Sequence, residues 1–311
     1  MRKILVVRLG AMGDILHALP AVASLRTAGD VRIAWAVKPQ FRELLDGGGA
    51  ADEVIEFRRS GLRALRDSIA ALRRMEFDSA IDFQGLLQSA VLARASGAAR
   101  IWGFERRLVR EPAAALFYDE RVATSAAHVV DRNLDLALAA GASGRLVRFP
   151  LPEGRREGVL PEGAFVLASP FAGWGAKQWP LENYLELADM LDKDLGLPLV
   201  FNVSPAQAEA LAHRGARVHV SSISGLIDAT RRAAAVVGVD SGPLHLAAAL
   251  GRPGVAIYGP TDPARNGPYS SSIRVLRAPG AKTSYRRDAE PDPSMKAVDP
   301  QQVLEALREV L

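Results

Sequence analysis

The stretch Val236–Pro263, VVGVDSGPLHLAAALGRPGVAIYGPTDP, constrains the fold more than any other part of the chain. Ala233–Val239 is a short apolar run rich in Val and Ala, the composition of a strand buried on both faces. It stops at Asp240-Ser241-Gly242, where the side-chain oxygen of either Asp240 or Ser241 can cap a helix. Leu244, Leu246, Ala247 and Leu250 then give one apolar helical face, and Gly251 with Pro253 ends it. Gly254–Tyr258 reads as a second buried strand, closed by the turn Gly259-Pro260-Thr261-Asp262-Pro263. Together these make a β–α–β unit with an anion-ready helix N-terminus at the carboxyl end of its first strand. That edge is where open α/β sheets bind ligands.

The N-terminus follows the same grammar. Lys3–Val7 is a strand, followed by RLGAMGDILHALP. Gly10 and Gly13 allow a tight turn and a close approach of ligand to backbone. Asp14 opens a helix with Leu16, Leu19, Val22 and Leu25 on its apolar side; Pro20 predicts a kink or a separate preceding turn. The third Gly of GxGxxG is missing and no acidic residue ends the next strand, Val31–Val37, which argues against an NAD enzyme. Phe41–Leu45 then reads as helical, Val54–Phe57 as a strand, Gly61–Met75 as a helix and Phe77–Phe83 as a strand before a helix with Leu86, Leu87, Ala90 and Val91.

Gly144–Gly163, rich in Gly, Pro and charge, is a linker, and the pattern restarts with the strand Phe165–Ser169. Lys177 lies in the Gly-rich loop that follows, before a helix opened by Pro180. A diphosphate suits that place, although Gly-Lys-Ser/Thr of a P-loop is absent. Pro198–Val203 and Ile273–Leu276 are further strands. Pro279–Ala297 reads as a loop or mobile segment, and Asp299-Pro300 starts a terminal helix.

Composition narrows the class. The chain has no cysteine, which excludes disulfides and Cys-based zinc sites and fits a reducing compartment. No secretory leader is expected at Met1-Arg2-Lys3, and no apolar run reaches the ~18–20 residues of a membrane span. Asp192-Lys193-Asp194 is the only Asp-x-Asp; it ends an amphipathic stretch and reads as solvated charge, so neither a metal nor a cofactor is expected. Residues 1–150 hold 22 Lys/Arg against 17 Asp/Glu, whereas the rest hold 17 against 18. Arg58, Arg59, Arg63, Arg66, Arg73 and Arg74 cluster around one helix, either as a solvated face or as a surface for an anionic glycolipid or membrane face. Without interleaved aromatics, nucleic acid is the least favoured partner.

VDSGPLHLAAALGRP with YGPTDP resembles the signature of the heptosyltransferases, inverting glycosyltransferases of family 9 that build the inner core of lipopolysaccharide. RLGAMGDILHALP and IDFQGLLQSA are similar to the same family, and the likeness spans nearly the whole chain. It implies an α/β fold of two Rossmann-like domains facing each other across a cleft, GT-B. Residues 1–150 would bind the acceptor, 151–298 the nucleotide-sugar, and 299–311 would form a helix returning to the first domain. Asp14 is then the catalytic base, and Lys177, before Gln178-Trp179-Pro180, meets the donor and the departing charge. Asp240, Ser241, Gly242 and His245 hold the donor, and Gln207 stands by position for a ribose contact, with Glu209 two residues on as the other choice. Gly13, His17, Arg63 and Arg110 fall on the acceptor side, Arg110-Glu111-Pro112 being most similar to the first-step enzymes. A Thr pair of those enzymes is replaced here by Ala172-Gly173. The implied partners are an ADP-heptose donor and an anionic acceptor of Kdo–lipid A type. The implied location is the cytoplasm, peripheral on the inner membrane. The alternatives are a relative using another nucleotide-sugar or a later core acceptor, and a non-catalytic binder of an anionic ligand.

Overall fold

Alternating apolar runs and amphipathic stretches fold into two successive units, residues 1–152 and 153–311. The structure is a computed structural model that describes residues 1–58, 61–284 and 286–311, without the side chains of residues 62–65. Arg59 and the side chain of Arg63 therefore lie outside the described residues. The first unit contains β1 (Arg2–Val7), α1 (Met12–Leu25), β2 (Val31–Val37), β3 (Glu53–Glu56), α2 (Gly61–Arg73), β4 (Ser79–Asp82), α3 (Leu87–Ala95), β5 (Arg100–Phe104), β6 (Glu120–Val122) and α4 (Val129–Ala139). The second contains β7 (Val166–Ser169), α5 (Leu181–Leu195), β8 (Leu199–Asn202), α6 (Pro205–Ala212), β9 (Arg217–His219), α7 (Ile223–Arg232), β10 (Ala235–Val239), α8 (Gly242–Ala249), β11 (Gly254–Tyr258), α9 (Pro263–Asn266), β12 (Ile273–Arg277), α10 (Pro293–Lys296) and α11 (Pro300–Val310).

The sheet orders are β3-β2-β1-β4-β5-β6 and β12-β11-β10-β7-β8-β9, with every pairing parallel. Counted from each unit's own first strand, both read 3-2-1-4-5-6, the order of doubly wound nucleotide-binding sheets. Two consecutive Rossmann-like sheets are the make-up of the GT-B class. The strand order reverses between β1 and β4 and between β7 and β10. Register brings Val7 beside Asp82 and Ser169 beside Gly238, so the loops that matter leave adjacent strands at the carboxyl edge. The central strands are continuous apolar runs because helices cover both faces; Ile4, Leu5, Val6 and Val7 are wholly buried.

Several expectations change. α1 runs unbroken through Pro20, which is itself buried; the missing N–H removes one helical bond without ending the helix. β5, β6 and α4 have no counterpart in the sequence reading, since the two strands are short and carry charge at their ends. Phe41–Leu44 lie in a short, tightly wound helix, Pro39–Leu44, and Leu45 follows its end. The polar stretch after β12 is anchored, with α10 placing Met295 in the core.

Residues 299–311 hold the terminal helix expected there, α11. Val303, Leu304 and Leu307 join the second unit's core with Tyr184 and Leu187 of α5 and Ile257 of β11, and the Trp179 indole donates to the Val298 carbonyl at 2.7 Å. The helix follows its apolar face, and that face is filled within its own unit. Leu304→Ala should therefore destabilise the second unit by about 2–5 kcal/mol, read by denaturant unfolding. An unchanged midpoint would make α11 a detachable appendage.

Candidate functional site

In the second unit, the crevice at the strand-order reversal lies between the loops after β7 and β10. Asp240 leaves the sheet directly after β10, and α8 begins at Gly242. Neither expected cap forms. Ser241 has the extended backbone of a cap position, but its side chain accepts no first-turn N–H. Asp240 turns instead to distant partners: Lys177 Nζ donates to Oδ2 at 2.5 Å, and His245 Nε2 lies 3.2 Å from Oδ1. A charge-assisted bond is stronger than a neutral cap, which accounts for the choice.

Asp240 is only 8% exposed. Burial by itself would raise its pKa; the hydrogen bond and charge of His245, and then Lys177, override burial and hold the carboxyl well below the usual carboxylate range. The first turn of α8 is therefore left without a side-chain cap. Gly242 adds no side chain there, and the Ser241 hydroxyl is buried with no hydrogen-bond partner among the described residues. Such a helix end favours a negatively charged ligand.

Lys177 ends a single-turn helix, Gly175–Lys177, in the loop after β7. Its Nζ lies 4.3 Å from the centroid of the Trp174 ring, and Arg287 Cζ lies 5.3 Å from the same centroid. The segment that carries Arg287 is tied to this loop: Ala176 N–H donates to the Asp288 carbonyl at 3.0 Å, and Asp292 N–H to the Ala176 carbonyl at 3.2 Å. Gly175 is required at this approach, because a Cβ would fall 1.6 Å from the Ala289 carbonyl oxygen. Sequence alone does not single out Trp174 and Arg287; the signals it offers are an aromatic in a Gly-rich loop and an Arg pair in a polar segment. Gln207, placed by position for a ribose contact, lies in α6. It is the third residue of α6, and its carbonyl oxygen accepts from the Ser204 hydroxyl at 2.7 Å and the Ser204 N–H at 3.3 Å, as a capping box requires.

In the first unit Arg8 follows β1 and is 9% exposed. It donates to Asp14 Oδ2 at 2.7 Å. Asp14 is the third residue of α1 rather than its opening residue, and it accepts from Ala11 N–H at 3.1 Å. Its side chain stays about half exposed, and Gly13 lies just before it, half-buried. Gly10 permits this turn to pass Phe41, whose ring a Cβ would meet at 2.6 Å.

Arg110 is exposed with no ion pair among the described residues. Its neighbour Glu111 accepts from Leu87 N–H at 2.6 Å and donates its own N–H to the Gly85 carbonyl at 3.1 Å, which pins Arg110 beside the end of β4. His17 is buried where α1 packs on α4: its ring meets His128 edge-on at 5.6 Å, and the Asn133 side-chain amide donates to its backbone carbonyl at 3.0 Å. Within the arginine group, Arg58 is paired with Glu56 at 2.6 Å, while Arg66, Arg73 and Arg74 are exposed. Asp194 of the Asp-x-Asp pairs with Arg308 at 2.6 Å. No helix among the described residues is long and apolar enough to cross a membrane.

A family model described as glycosyltransferase family 9 (heptosyltransferase) matches residues 65–293. Lipopolysaccharide heptosyltransferase 1 from an Escherichia coli strain is 30% identical over 310 residues, covering 91% of this chain and 93% of that protein. The solved structure of Escherichia coli heptosyltransferase WaaC with ADP matches with a TM-score of 0.78 at 27% identity, over 99% of this chain and 100% of the other. The structure of the same enzyme with ADP-2-deoxy-2-fluoro heptose matches equally well.

The Asp240 contacts set a pH dependence. A depressed carboxyl contributes stability that is present above its unfolded value of about 4 and is lost as pH falls through the folded value. Asp240→Asn should lower stability at pH 7 by about 1.5–3 kcal/mol and remove part of the acid-side slope, read by denaturant unfolding from pH 7 downward. An unchanged slope would show that the pairing adds nothing.

Proposed function

The chain belongs to glycosyltransferase family 9, the heptosyltransferases, and from that premise we propose that it moves heptose from ADP-heptose to the Kdo of a lipid A precursor, inverting the anomeric carbon. The observation that carries this reading is the uncapped N-terminus of α8 beside the Lys177–Asp240–His245 cluster. A nucleoside diphosphate suits it: the free N–H groups and Lys177 face oxygens that gain charge as the sugar leaves. A related enzyme solved with ADP and with an ADP-heptose analogue supports the same choice of donor.

The acceptor hydroxyl attacks the anomeric carbon opposite the ADP group, and Asp14 takes its proton. The bond between that carbon and the phosphate oxygen breaks, and ADP leaves with the electron pair. Arg8 keeps Asp14 oriented through the 2.7 Å ion pair. Lys177 and the α8 N–H groups are fixed donors to the departing diphosphate and take the role that a divalent ion plays elsewhere. The net basic charge of residues 1–150 supports a peripheral place on an anionic membrane face at the cytoplasmic side of the inner membrane, and Arg110 is the candidate partner for an acceptor carboxylate.

A transfer assay over a panel of nucleotide-sugars tests the donor, and ADP-heptose should be preferred. Asp14→Asn should lower kcat by ~10²–10⁴-fold with the donor KM nearly unchanged, and Lys177→Ala should raise the donor KM and lower kcat together. Activity should survive EDTA; loss restored by Mg²⁺ would overturn the role given to Lys177.

Arg110→Lys should raise the acceptor KM and leave the donor KM alone, because Lys lacks the two-point fork of Arg. Steady-state kinetics with each substrate varied decides this. A shift confined to the donor KM would sink the acceptor assignment.

A further inference from the structure

The end of β4 carries a buried acid that the reaction above does not use. Asp82 is wholly inaccessible, yet its carboxylate has four donors. Tyr118 Oη donates to Oδ2 at 2.7 Å and Ser89 Oγ at 2.8 Å, while Oδ1 accepts from Gln84 N–H at 2.8 Å and Gly85 N–H at 3.3 Å. Burial raises the pKa of this carboxyl above the ordinary carboxylate value, and the four donors offset only part of the rise. So dense a set of bonds at the end of a strand fixes the backbone of Gln84 and Gly85 in one conformation.

What that turn holds lies on the neighbouring strand, across the strand-order reversal. Gln84 Oε1 accepts from Leu9 N–H at 2.7 Å. The Phe83 carbonyl accepts from Arg8 Nη1 at 2.5 Å, and the Trp35 indole donates to the Arg8 carbonyl at 3.1 Å. Arg8 is thus held at its carbonyl, at the following N–H and at its guanidinium. Its remaining Nη2 is aimed at Asp14. Nothing in Tyr118, Ser89 or Asp82 touches Asp14, but every bond in the series orients the arginine that does.

We propose that Gln84, set by the buried Asp82 turn, is a positioning residue that holds Arg8 against Asp14. This inference rests on the reading of Asp14 as the base. Gln84→Met keeps the volume and removes the acceptor for Leu9 N–H; Gln84→Glu keeps an acceptor. Gln84→Met should lower kcat tenfold to a hundredfold with the donor KM within twofold, and it should lower the thermal midpoint by only a few degrees, about what the loss of one hydrogen bond brings. Gln84→Glu should stay within about threefold of the parent, because the acceptor for Leu9 N–H is retained. The double variant with Asp14→Asn should be no slower than Asp14→Asn alone, since residues acting through one group are not additive.

Parent-like kcat in Gln84→Met, an equal loss in Gln84→Glu, or additive losses in the double variant would each overturn the positioning role. A parent-like Asp14→Asn single variant is a separate result: it removes Asp14 from the reaction, and with it the base reading and this one.

Discussion

The second unit depends on a choice made by one carboxylate. Asp240 stands where a helix cap is expected and pairs with Lys177 and His245 instead. Two consequences follow. The first turn of α8 keeps unsatisfied donors, and Lys177, carried by a loop 63 residues earlier, is fixed close to that helix end. A cation and a helix N-terminus without a side-chain cap then lie together at the carboxyl edge of a sheet, with the Trp174 ring against the lysine. Removing one partner of such a buried pair leaves a stranded charge, so the cluster is self-consistent only as a whole.

The first unit solves a parallel problem with the same topology. Both sheets reverse strand order beside their first strand, so in each the loop after the first strand meets the loop after the fourth. There the pair is Arg8 with Asp14, supported by the turn at the end of β4. One unit thus presents an exposed carboxylate held by a buried arginine; the other presents a lysine held by a buried carboxylate. The opposite polarity suits the opposite tasks proposed for them, taking a proton and stabilising a departing anion.

Much of this was legible in the chain. The apolar runs around 235–239 and 254–258 and the stop signals between them place β10, α8 and β11 within a residue or two of their limits. Position in a βα turn also singled out Asp14, Lys177 and Asp240. Contact choice was not legible. Whether Asp240 caps or pairs depends on a lysine distant in sequence, and whether His17 faces a ligand or α4 depends on which side of α1 is covered. The bond from the Ser204 hydroxyl to the Gln207 side-chain oxygen, which helps close a capping box, is likewise a contact that the residue type alone does not announce. The terminal helix shows its apolar face but not which domain that face meets, and the polar stretch 279–297 hides its anchors in backbone bonds and one buried Met295.

Calorimetric titration with ADP and with AMP reads the proposed diphosphate site most directly, because the two nucleotides differ only in the phosphate that Lys177 and α8 would hold. ADP should bind at least tenfold more tightly than AMP, about 1.4 kcal/mol, and Lys177→Ala should erase most of that difference while leaving AMP binding nearly unchanged. Equal affinities for the two nucleotides in the parent protein, or a Lys177→Ala variant that keeps the full preference for ADP, would contradict the placement of the donor diphosphate at this helix end.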